Sequence, residues 1–308
     1  MLVKSNEELS ALGMRTKGVF DDEVMKLEEL ISWEEAELIL VRFDRHIGQV
    51  SDLMNDLSLR KDGFRDSSTN DSKDKSAIIG VMASQVGMLA RSSCEHFLTF
   101  SACVRNPRLT IVPYVCVRGG IEASGIAAWI ADPKLVKDER LSRSFAFRLE
   151  GLHQQVKYAE GINEMEMLSA SARLKSVEDK ADRMSFEVSK SQKAGKSSIN
   201  GVRWPGSTKV IEEALDLERE YRLLSAMAHG HAWAITQLSY RKAGQSELAE
   251  QHMHPIAIVW LCRTAARALG KAIWCASELL NGESMTTQRV LNGLYDDLLI
   301  HSGRPWST

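Results

Sequence analysis

Proline and long apolar runs are both scarce in this sequence, and each absence excludes a class of structure. Only six prolines are spread over 308 residues. Because proline breaks the interior of a helix, its scarcity favours helix almost throughout, as do long stretches rich in Ala, Leu, Glu, Met and Arg. The most apolar long stretch, residues 255–280, is interrupted by three basic residues, so neither a membrane span nor a membrane partner is expected.

An excess of one charge is also absent. Lys and Arg together number 39 and Asp and Glu 41, which argues against wholesale coating of a nucleic acid but leaves room for a local basic face. The cysteines form an odd set without C-x-x-C spacing: Cys94, Cys103, Cys116, Cys262 and Cys275. In apolar helical contexts they are typical of small core residues in a reducing compartment. Because the first residues, MLVKSNEELS, show no secretory signal, we expect a cytoplasmic protein.

The common catalytic and metal-binding motifs are missing too. No Walker loop, dinucleotide fingerprint, G-x-S-x-G elbow or zinc-ribbon spacing occurs, which disfavours nucleotide-fuelled and common hydrolase classes. Two His-x-His pairs, at 229–231 and 252–254, would splay their rings about 200° apart within a helix. Glu150-x-x-His153 is half of a di-iron signature whose other half is absent. We therefore expect no metal and no other cofactor.

The pattern of apolar residues predicts an all-α protein, a multi-helix bundle with a long helical hairpin insertion. Residues 1–59 are expected to form an N-terminal helical arm, and the polar, charged residues 60–76 a flexible linker. The helical core is predicted at 77–304. Within it, two charged amphipathic helices joined near Gly161 form the hairpin at 139–192.

Local signals place several helix boundaries. Ser32 and Glu35 fit a capping box that begins the second helix of the arm. The connector at 108–113 is the only strand-like segment. One continuous helix is expected at about 208–229, because Gly230 is well placed to stop it.

Small residues mark the helix after this connector, YVCVRGGIEASGIAAWIAD, as central. Two rows of small side chains run along it: Gly119, Ala123 and Ala127 in one, Gly120, Ser124 and Ala128 in the other. Each interior glycine costs about 1 kcal/mol of helix propensity relative to alanine. Closer packing of a neighbouring helix against the small residues would offset this cost.

Arg118 and Glu122 lie one turn apart on the same helix. We expect them to dock against Ser225 and His229 in a buried polar network. Such a network either fixes the register of two helices or holds the residues of a catalytic site in position.

A polar stripe crosses the helix that ends in YRLLSAMAHGHAW. At about 100° per residue, four polar side chains fall within an arc of roughly 60°: Glu218, Arg222, Ser225 and His229. Arginine can hold a phosphate with its fork of donors, and histidine can act as a general acid or base near neutral pH. The alternative is a solvated face, with an i,i+4 pair of Glu218 and Arg222 and with His229 beside the C-terminal carbonyls.

Arg222 and His229 match the pattern R-x(4–6)-H. In this motif the chain resembles the HEPN superfamily, a group of helical proteins that includes metal-independent ribonuclease toxins. The resemblance implies that Arg222 binds a phosphate and that His229 moves a proton during RNA cleavage at a homodimer cleft. Ser225 and Glu218 would then orient the pair. Two other pairs have a matching spacing: Arg91–His96 and Arg148–His153. A separation of five residues puts their side chains about 140° apart in a helix, whereas a separation of seven keeps Arg222 and His229 on one face.

A second resemblance involves the segments RGGIEAS and YRLLSAMAHG. They are similar to a bacterial all-helical family that pairs an R-x3-E helix with a later Y-x2-LS-x3-H helix. This resemblance covers about residues 77–240 and adds Tyr221, with Arg118 and Glu122, as a supporting residue. It implies no particular activity.

Basic residues surround a tryptophan in the loop at 193–209. They are Lys193, Lys196, Arg203 and Lys209, around Trp204. Basic groups beside an aromatic ring suit single-stranded RNA, and a solvated loop is the alternative. The sequence therefore predicts an RNA-acting, HEPN-like homodimer, a toxin or defence factor. The alternative is a non-catalytic interaction protein whose polar residues are structural and whose 139–192 hairpin recruits a protein partner.

Overall fold

The structure, a computed structural model, describes residues 31–59, 73–106, 108–189, 197–242, 249–251, 253–280, 287 and 289–294. Within these residues the protein is mainly helical, and the predicted all-α bundle with a helical hairpin insertion is confirmed. Several predictions fall outside the described residues: those on 1–30 and 60–72, on Lys193, Lys196 and His252, and on most of the last helix at 286–301.

The described part of the chain contains nine helices with assigned bounds and five short strands. The helices are α1 (Trp33–Leu59), α2 (Lys73–Val104), α3 (Val112–Ala131), α4 (Lys137–Glu160), α5 (Glu164–Arg183), α6 (Ser207–Leu215), α7 (Glu218–Ala228), α8 (Ala232–Ser239) and α9 (Pro255–Leu279). The strands are β1 (Val188–Ser189), β2 (Ser198–Ile199), β3 (Val202–Arg203), β4 (Tyr240–Lys242) and β5 (Ala249–Gln251). β1, β2 and β3 form one antiparallel sheet, and β4 and β5 form another. Residues 287 and 289–294 are helical as well.

Helix α3 lies at the centre of the bundle. Helices α2, α9, α6 and α7 all pack against it, and fifteen of its twenty residues are buried. Pro113 stands in its first turn, where the missing N–H removes no helical hydrogen bond. Helix α1 packs on α2 and α9 and completes the core. The prediction that the small-residue helix is central is therefore confirmed.

Glycines on α3 allow its neighbours to approach closely. A Cβ atom at Gly120 would overlap the ring of Phe97 on α2, which is fully buried. A Cβ atom at Gly125 would lie 3.0 Å from Ile211 Cγ1 on α6. The Ser93 hydroxyl of α2 donates to the Gly120 carbonyl oxygen at 2.9 Å, so the close approach also brings a buried polar contact. The loss of helix propensity at these glycines is thus offset by close packing.

Helices α4 and α5 form the predicted hairpin, which turns at Gly161. Asn163 caps α5, since its side-chain oxygen accepts a hydrogen bond from the Glu166 N–H. Helix α5 packs on α4 and on β1, while α4 also contacts α2, α3 and the small sheet. Helix α5 ends at Arg183, before its predicted end, because Ser185 adopts a left-handed φ of 61° and the chain then enters β1.

The continuous helix predicted at 208–229 is in fact two helices, α6 and α7. Asp216, which follows α6, adopts a left-handed φ of 53°, and its N–H donates to the Glu212 carbonyl oxygen. The break redirects the chain so that Ile211 on α6 and Tyr221 on α7 both contact α3. The predicted stop at Gly230 is confirmed, because its φ is 71°.

Two further boundary predictions are wrong. The connector at 108–113 was expected to be strand-like, but it contains turns and the start of α3, and the five strands lie elsewhere. Helix α2 begins at Lys73, so residues 73–76 of the predicted linker are helical. Both errors concern short segments, in which neighbouring elements decide the backbone conformation.

Several predicted local features are confirmed. The Glu35 N–H donates to Ser32 Oγ at 3.1 Å and the Ser32 N–H donates to Glu35 Oε2 at 2.7 Å, which is the capping box expected before α1. All five cysteines are free; four are buried and Cys103 is half-buried. Among the helices that the structure describes, none combines the length and the apolar character needed to cross a lipid bilayer.

Candidate functional site

Helix α3 is buried on every side except one narrow stripe. The five residues of this open stripe are Val112, Val115, Arg118, Gly119 and Glu122. Their spacing of three or four residues puts them on one face of the helix. The stripe begins with two exposed valines and continues into a guanidinium, a glycine and a carboxylate. A charged pair on the open face of an otherwise buried helix is the first pointer to a site.

Arg118 is held over this stripe by helix α7. Its Nε donates to Ser225 Oγ at 2.9 Å and its Nη2 donates to Tyr221 Oη at 3.1 Å, with the guanidinium carbon 5.2 Å from the centre of the Tyr221 ring. The side chain remains 27% exposed. Within the described part of the chain its Nη1 has no hydrogen-bond partner. The guanidinium is therefore rigidly positioned and keeps one nitrogen available.

Glu122 completes the network and links α6 to α3 and α7. The Tyr221 hydroxyl donates to Glu122 Oε2 at 2.9 Å, and the Ser207 hydroxyl donates to Glu122 Oε1 at 2.5 Å. Arg118 Nη2 lies 3.5 Å from the same carboxylate. Burial, followed by the nearby Glu122 charge, raises the pKa of Tyr221 above its ordinary value of 10.0, so this hydroxyl stays protonated and donates at neutral pH.

The predicted docking of Arg118 and Glu122 on α7 is thus confirmed for Ser225. Tyr221, predicted only as a supporting residue, contacts both charged groups. Ser207, at the start of α6, was not predicted to take part. Nothing in the local sequence around Ser207 identifies its partner, because the contact depends on how α6 crosses α3.

Arg222 and Glu218 form the i,i+4 pair that was the alternative to a catalytic stripe. Arg222 Nε and Nη2 approach the same oxygen, Glu218 Oε1, at 2.7 and 2.6 Å. The Arg222 side chain is 66% exposed, compared with 34% for Glu218. The charge of Arg222 is therefore paired directly with a carboxylate, although its Nη1, like that of Arg118, has no partner among the described residues.

His229 lies at the C-terminal end of α7 and is exposed. Its backbone N–H donates to the Ser225 carbonyl oxygen at 3.0 Å, and the chain then turns at Gly230. The next histidine, His231, is also exposed, and the two imidazole centres are 6.4 Å apart with their planes at 79°. His229 follows Ser225 by four residues, so it stands at the same end of α7 as the hydroxyl that accepts from Arg118.

His96 on α2 was considered only in the pair Arg91–His96 and was not predicted as a site residue. The half-buried His96 ring lies against Gly119, so closely that a Cβ atom there would be 2.7 Å from the ring. The missing side chain of Gly119 therefore makes room for an imidazole next to the open stripe of α3. The glycine was a usable signal, although only the structure identifies which side chain fills the space.

The predicted nucleic-acid loop is packed rather than open at its tryptophan. The half-buried Trp204 ring meets Trp129 edge to face at 5.6 Å and lies 5.0 Å from Phe147. It therefore fixes the loop to α3 and α4 and does not offer a free face on which a base can stack. Arg203, at the end of β3, is exposed.

Comparison with family models, with curated proteins and with solved structures returned no match for this chain. Within the described residues, no three or more His, Cys, Asp and Glu side chains cluster in a way that could hold a metal ion. The candidate site is accordingly defined by its geometry: Arg118, Gly119 and Glu122 on α3, Tyr221, Ser225 and His229 at α7, Ser207 on α6 and His96 on α2.

Proposed function

We propose that the protein acts on RNA at the open stripe of α3, as a HEPN-like protein that cleaves the phosphodiester backbone without a metal. The observation that carries the proposal is the state of Arg118. Its guanidinium is held by Ser225 and Tyr221, stays partly exposed and keeps Nη1 free of partners among the described residues. A rigid arginine with a free nitrogen is suited to binding a phosphate oxygen.

In this proposal Arg118 replaces Arg222 as the main phosphate ligand. Arg222 pairs with Glu218 on the exposed face of α7, so a phosphate would have to compete with that carboxylate. Arg118 Nε and Nη2, in contrast, donate to two uncharged hydroxyls, and its carboxylate neighbour lies farther away, at 3.5 Å. The positive charge of Arg118 is therefore less completely neutralised.

His229 and His96 would supply the proton transfers. His229 follows Ser225 by one turn, and His96 lies against Gly119. One imidazole removes the proton from the ribose 2′-hydroxyl, whose oxygen then attacks phosphorus. The other gives a proton to the departing 5′-oxygen. The products are a 2′,3′-cyclic phosphate and a free 5′-hydroxyl, and Arg118 stabilises the charge that develops on the phosphate oxygens.

The experiment is an RNA-cleavage assay with the full chain, a single-stranded RNA containing all four bases and a chelator in excess. We expect cleavage to 2′,3′-cyclic phosphate ends. His229→Ala should lower the rate by roughly 10² to 10⁴-fold, the usual contribution of a positioned proton-transfer group. The matched control is His231→Ala, an equally exposed histidine two residues away, which should keep the activity.

The variants also separate the two arginines. Arg118→Lys keeps a positive charge but loses the fork, so it should reduce cleavage while retaining the fold, whereas Arg222→Lys should have a small effect. The proposal is wrong if the wild-type chain leaves the RNA intact, or if His229→Ala and His231→Ala cleave equally well.

A second candidate, a non-catalytic interaction protein, is favoured by the closed hydrogen-bond network. Glu122 accepts from Tyr221 and Ser207, and Arg118 donates to Ser225, so these polar groups join α3, α6 and α7. On this interpretation Arg118→Ala would lower stability in a protein that has no nuclease activity in its wild-type form. Measuring unfolding and cleavage on the same preparations distinguishes the two functions.

A further inference from the structure

The α4–α5 hairpin carries an open groove of about 570 Å³, whose lining contains no residue of the stripe on α3. Its α4 wall is built by successive turns from Phe147 to Ala159, a length of about 18 Å at 1.5 Å per residue. Its α5 wall includes Glu166 and Arg173. An elongated groove along a helix pair suits another helix as its occupant.

The α4 wall has the periodicity of a helix-packing seam. Four of its residues and Ile162 in the following turn repeat with alternating steps of three and four: Arg148, Gly151, Gln155, Tyr158 and Ile162. This is the spacing with which helices pack at a small angle in coiled coils and four-helix bundles. Within the described residues, α5 packs on α4 and β1 and leaves the other side of this seam uncovered.

Large apolar side chains near the turn of the hairpin are exposed. Tyr158 is 75% exposed and Met165 81%, and Ile162 and Leu168 are each more than half exposed. Tyr158 and Ile162 line the groove, whereas Met165 and Leu168 lie near the turn outside its lining. Exposed apolar clusters of this kind mark association surfaces.

Charge is distributed unevenly along the hairpin. Around the turn, residues 155–169 contain one basic and three acidic side chains. The remainder, 137–154 and 170–183, contains eight basic and six acidic side chains, including Arg148 and Arg173 in the groove. Two hairpins laid antiparallel therefore place the acidic turn of each beside the basic groove of the other. The hairpin is electrostatically complementary to a second copy of itself.

We propose that this groove is a homodimer interface, in which the hairpins of two copies pack antiparallel as a four-helix bundle about a two-fold axis. Each copy contributes the same surface, as an isologous interface requires. Glu166, which lines the groove, and the neighbouring Glu160 of one copy face Arg148 and Arg173 of the second copy, and Tyr158 and Ile162 of each copy cover the seam of the other. The inference does not depend on the RNA chemistry proposed above.

The test is sedimentation of the full chain, whose mass is 34.4 kDa. We expect a species of twice that mass. Arg148→Glu with Arg173→Glu places like charges opposite each other and should weaken association by roughly a hundredfold or more. Glu160→Arg with Glu166→Arg should do the same. A mixture of these two double variants should restore the dimer, because every repulsive pair becomes attractive in the mixed species.

Gly151 provides a second test within the groove. No atom lies within 4 Å of the position of a Cβ atom at Gly151, so Gly151→Gln fits the isolated chain and improves helix propensity. In the proposed dimer the added side chain enters the space of the second hairpin, and association should weaken roughly tenfold. The matched control is Gly87→Gln on α2, which also has open space, lies outside the hairpin and should not affect association.

Each outcome is decisive for the groove. A wild-type chain that sediments as a monomer at all concentrations overturns the proposal. So does a dimer that persists in both double variants, since its interface would lie elsewhere. Lys209→Glu with Arg219→Glu, on exposed residues of α6 and α7, controls for a general effect of charge reversal. Rescue in the mixture excludes misfolding as the cause of dissociation.

Discussion

At the scale of single residues, the glycines of α3 act through the side chains that they admit. Gly120 leaves room for the buried Phe97 ring, and Gly119 leaves room for the His96 imidazole. The sequence predicted that these small residues serve close approach. It did not predict that an aromatic ring and a histidine fill the two spaces, because α2 presents them only after the two helices have packed.

We predict that Gly120→Ala lowers the free energy of unfolding by about 1–3 kcal/mol, despite alanine's better helix propensity. The added methyl would overlap the Phe97 ring, which has no exposed side to which it can move. Chemical denaturation measures the change. Gly87→Ala is the matched control: nothing lies near its Cβ position, and it should stabilise by up to about 1 kcal/mol. Equal effects of the two substitutions would contradict this account.

At the scale of the helices, the break between α6 and α7 decides what the polar stripe can do. The sequence predicted one helix at 208–229, and aspartate tolerates a left-handed conformation well enough that Asp216 was a possible signal. With the break, Ser207 and Tyr221 reach the same carboxylate from two helices. The angular grouping of Glu218, Arg222, Ser225 and His229 assumes one regular helix, and it put Ser225 and Arg222 in one stripe, with Ser225 orienting the phosphate-binding Arg222. In the structure, Arg118 donates a hydrogen bond to Ser225, and Arg222 donates one to Glu218.

Tyr221→Phe tests the network that joins α3 to α7. The substitution removes the hydroxyl that donates to Glu122 and accepts from Arg118, so two charged groups each lose a partner. We expect a loss of about 1.5–3 kcal/mol in the free energy of unfolding, the range for hydrogen bonds to charged groups. Tyr158→Phe removes a hydroxyl that has no hydrogen-bond partner among the described residues and keeps the ring in the proposed groove, so it should change stability little. A Tyr221→Phe variant as stable as the wild type would mean that this hydroxyl adds no stability.

At the scale of the whole molecule, the buried cysteines set the behaviour at high pH. Burial raises the pKa of Cys94 and of Cys275 from the ordinary value of 9.0 to about 12. Above pH 9 each thiol ionises in the unfolded chain while it remains neutral in the folded protein. The stability that the two neutral thiols contribute is therefore fully present below pH 9 and is lost as the pH rises from 9 towards 12.

We predict that the free energy of unfolding falls above pH 9 by about 1.4 kcal/mol per pH unit for each of these thiols. Denaturation curves at pH 8, 9, 10 and 10.5 measure the slope. In Cys94→Ala the free energy of unfolding should fall less steeply with pH, by the contribution of one thiol. This holds whatever the substitution does to stability at pH 8. A slope unchanged by this substitution would show that Cys94 does not ionise on unfolding in this range.

The sequence by itself determined the helical class, the hairpin, the central position of the small-residue helix and the end of α7 at Gly230. These properties follow from helix propensity, apolar spacing and capping, which act between residues close in the chain. Only the tertiary structure decided that Arg118 is held by the neutral hydroxyls of Ser225 and Tyr221 while Arg222 pairs with Glu218, and that the His96 ring lies against Gly119. The physical reason is that these contacts join residues far apart in sequence, and local patterns carry no information about which helices meet.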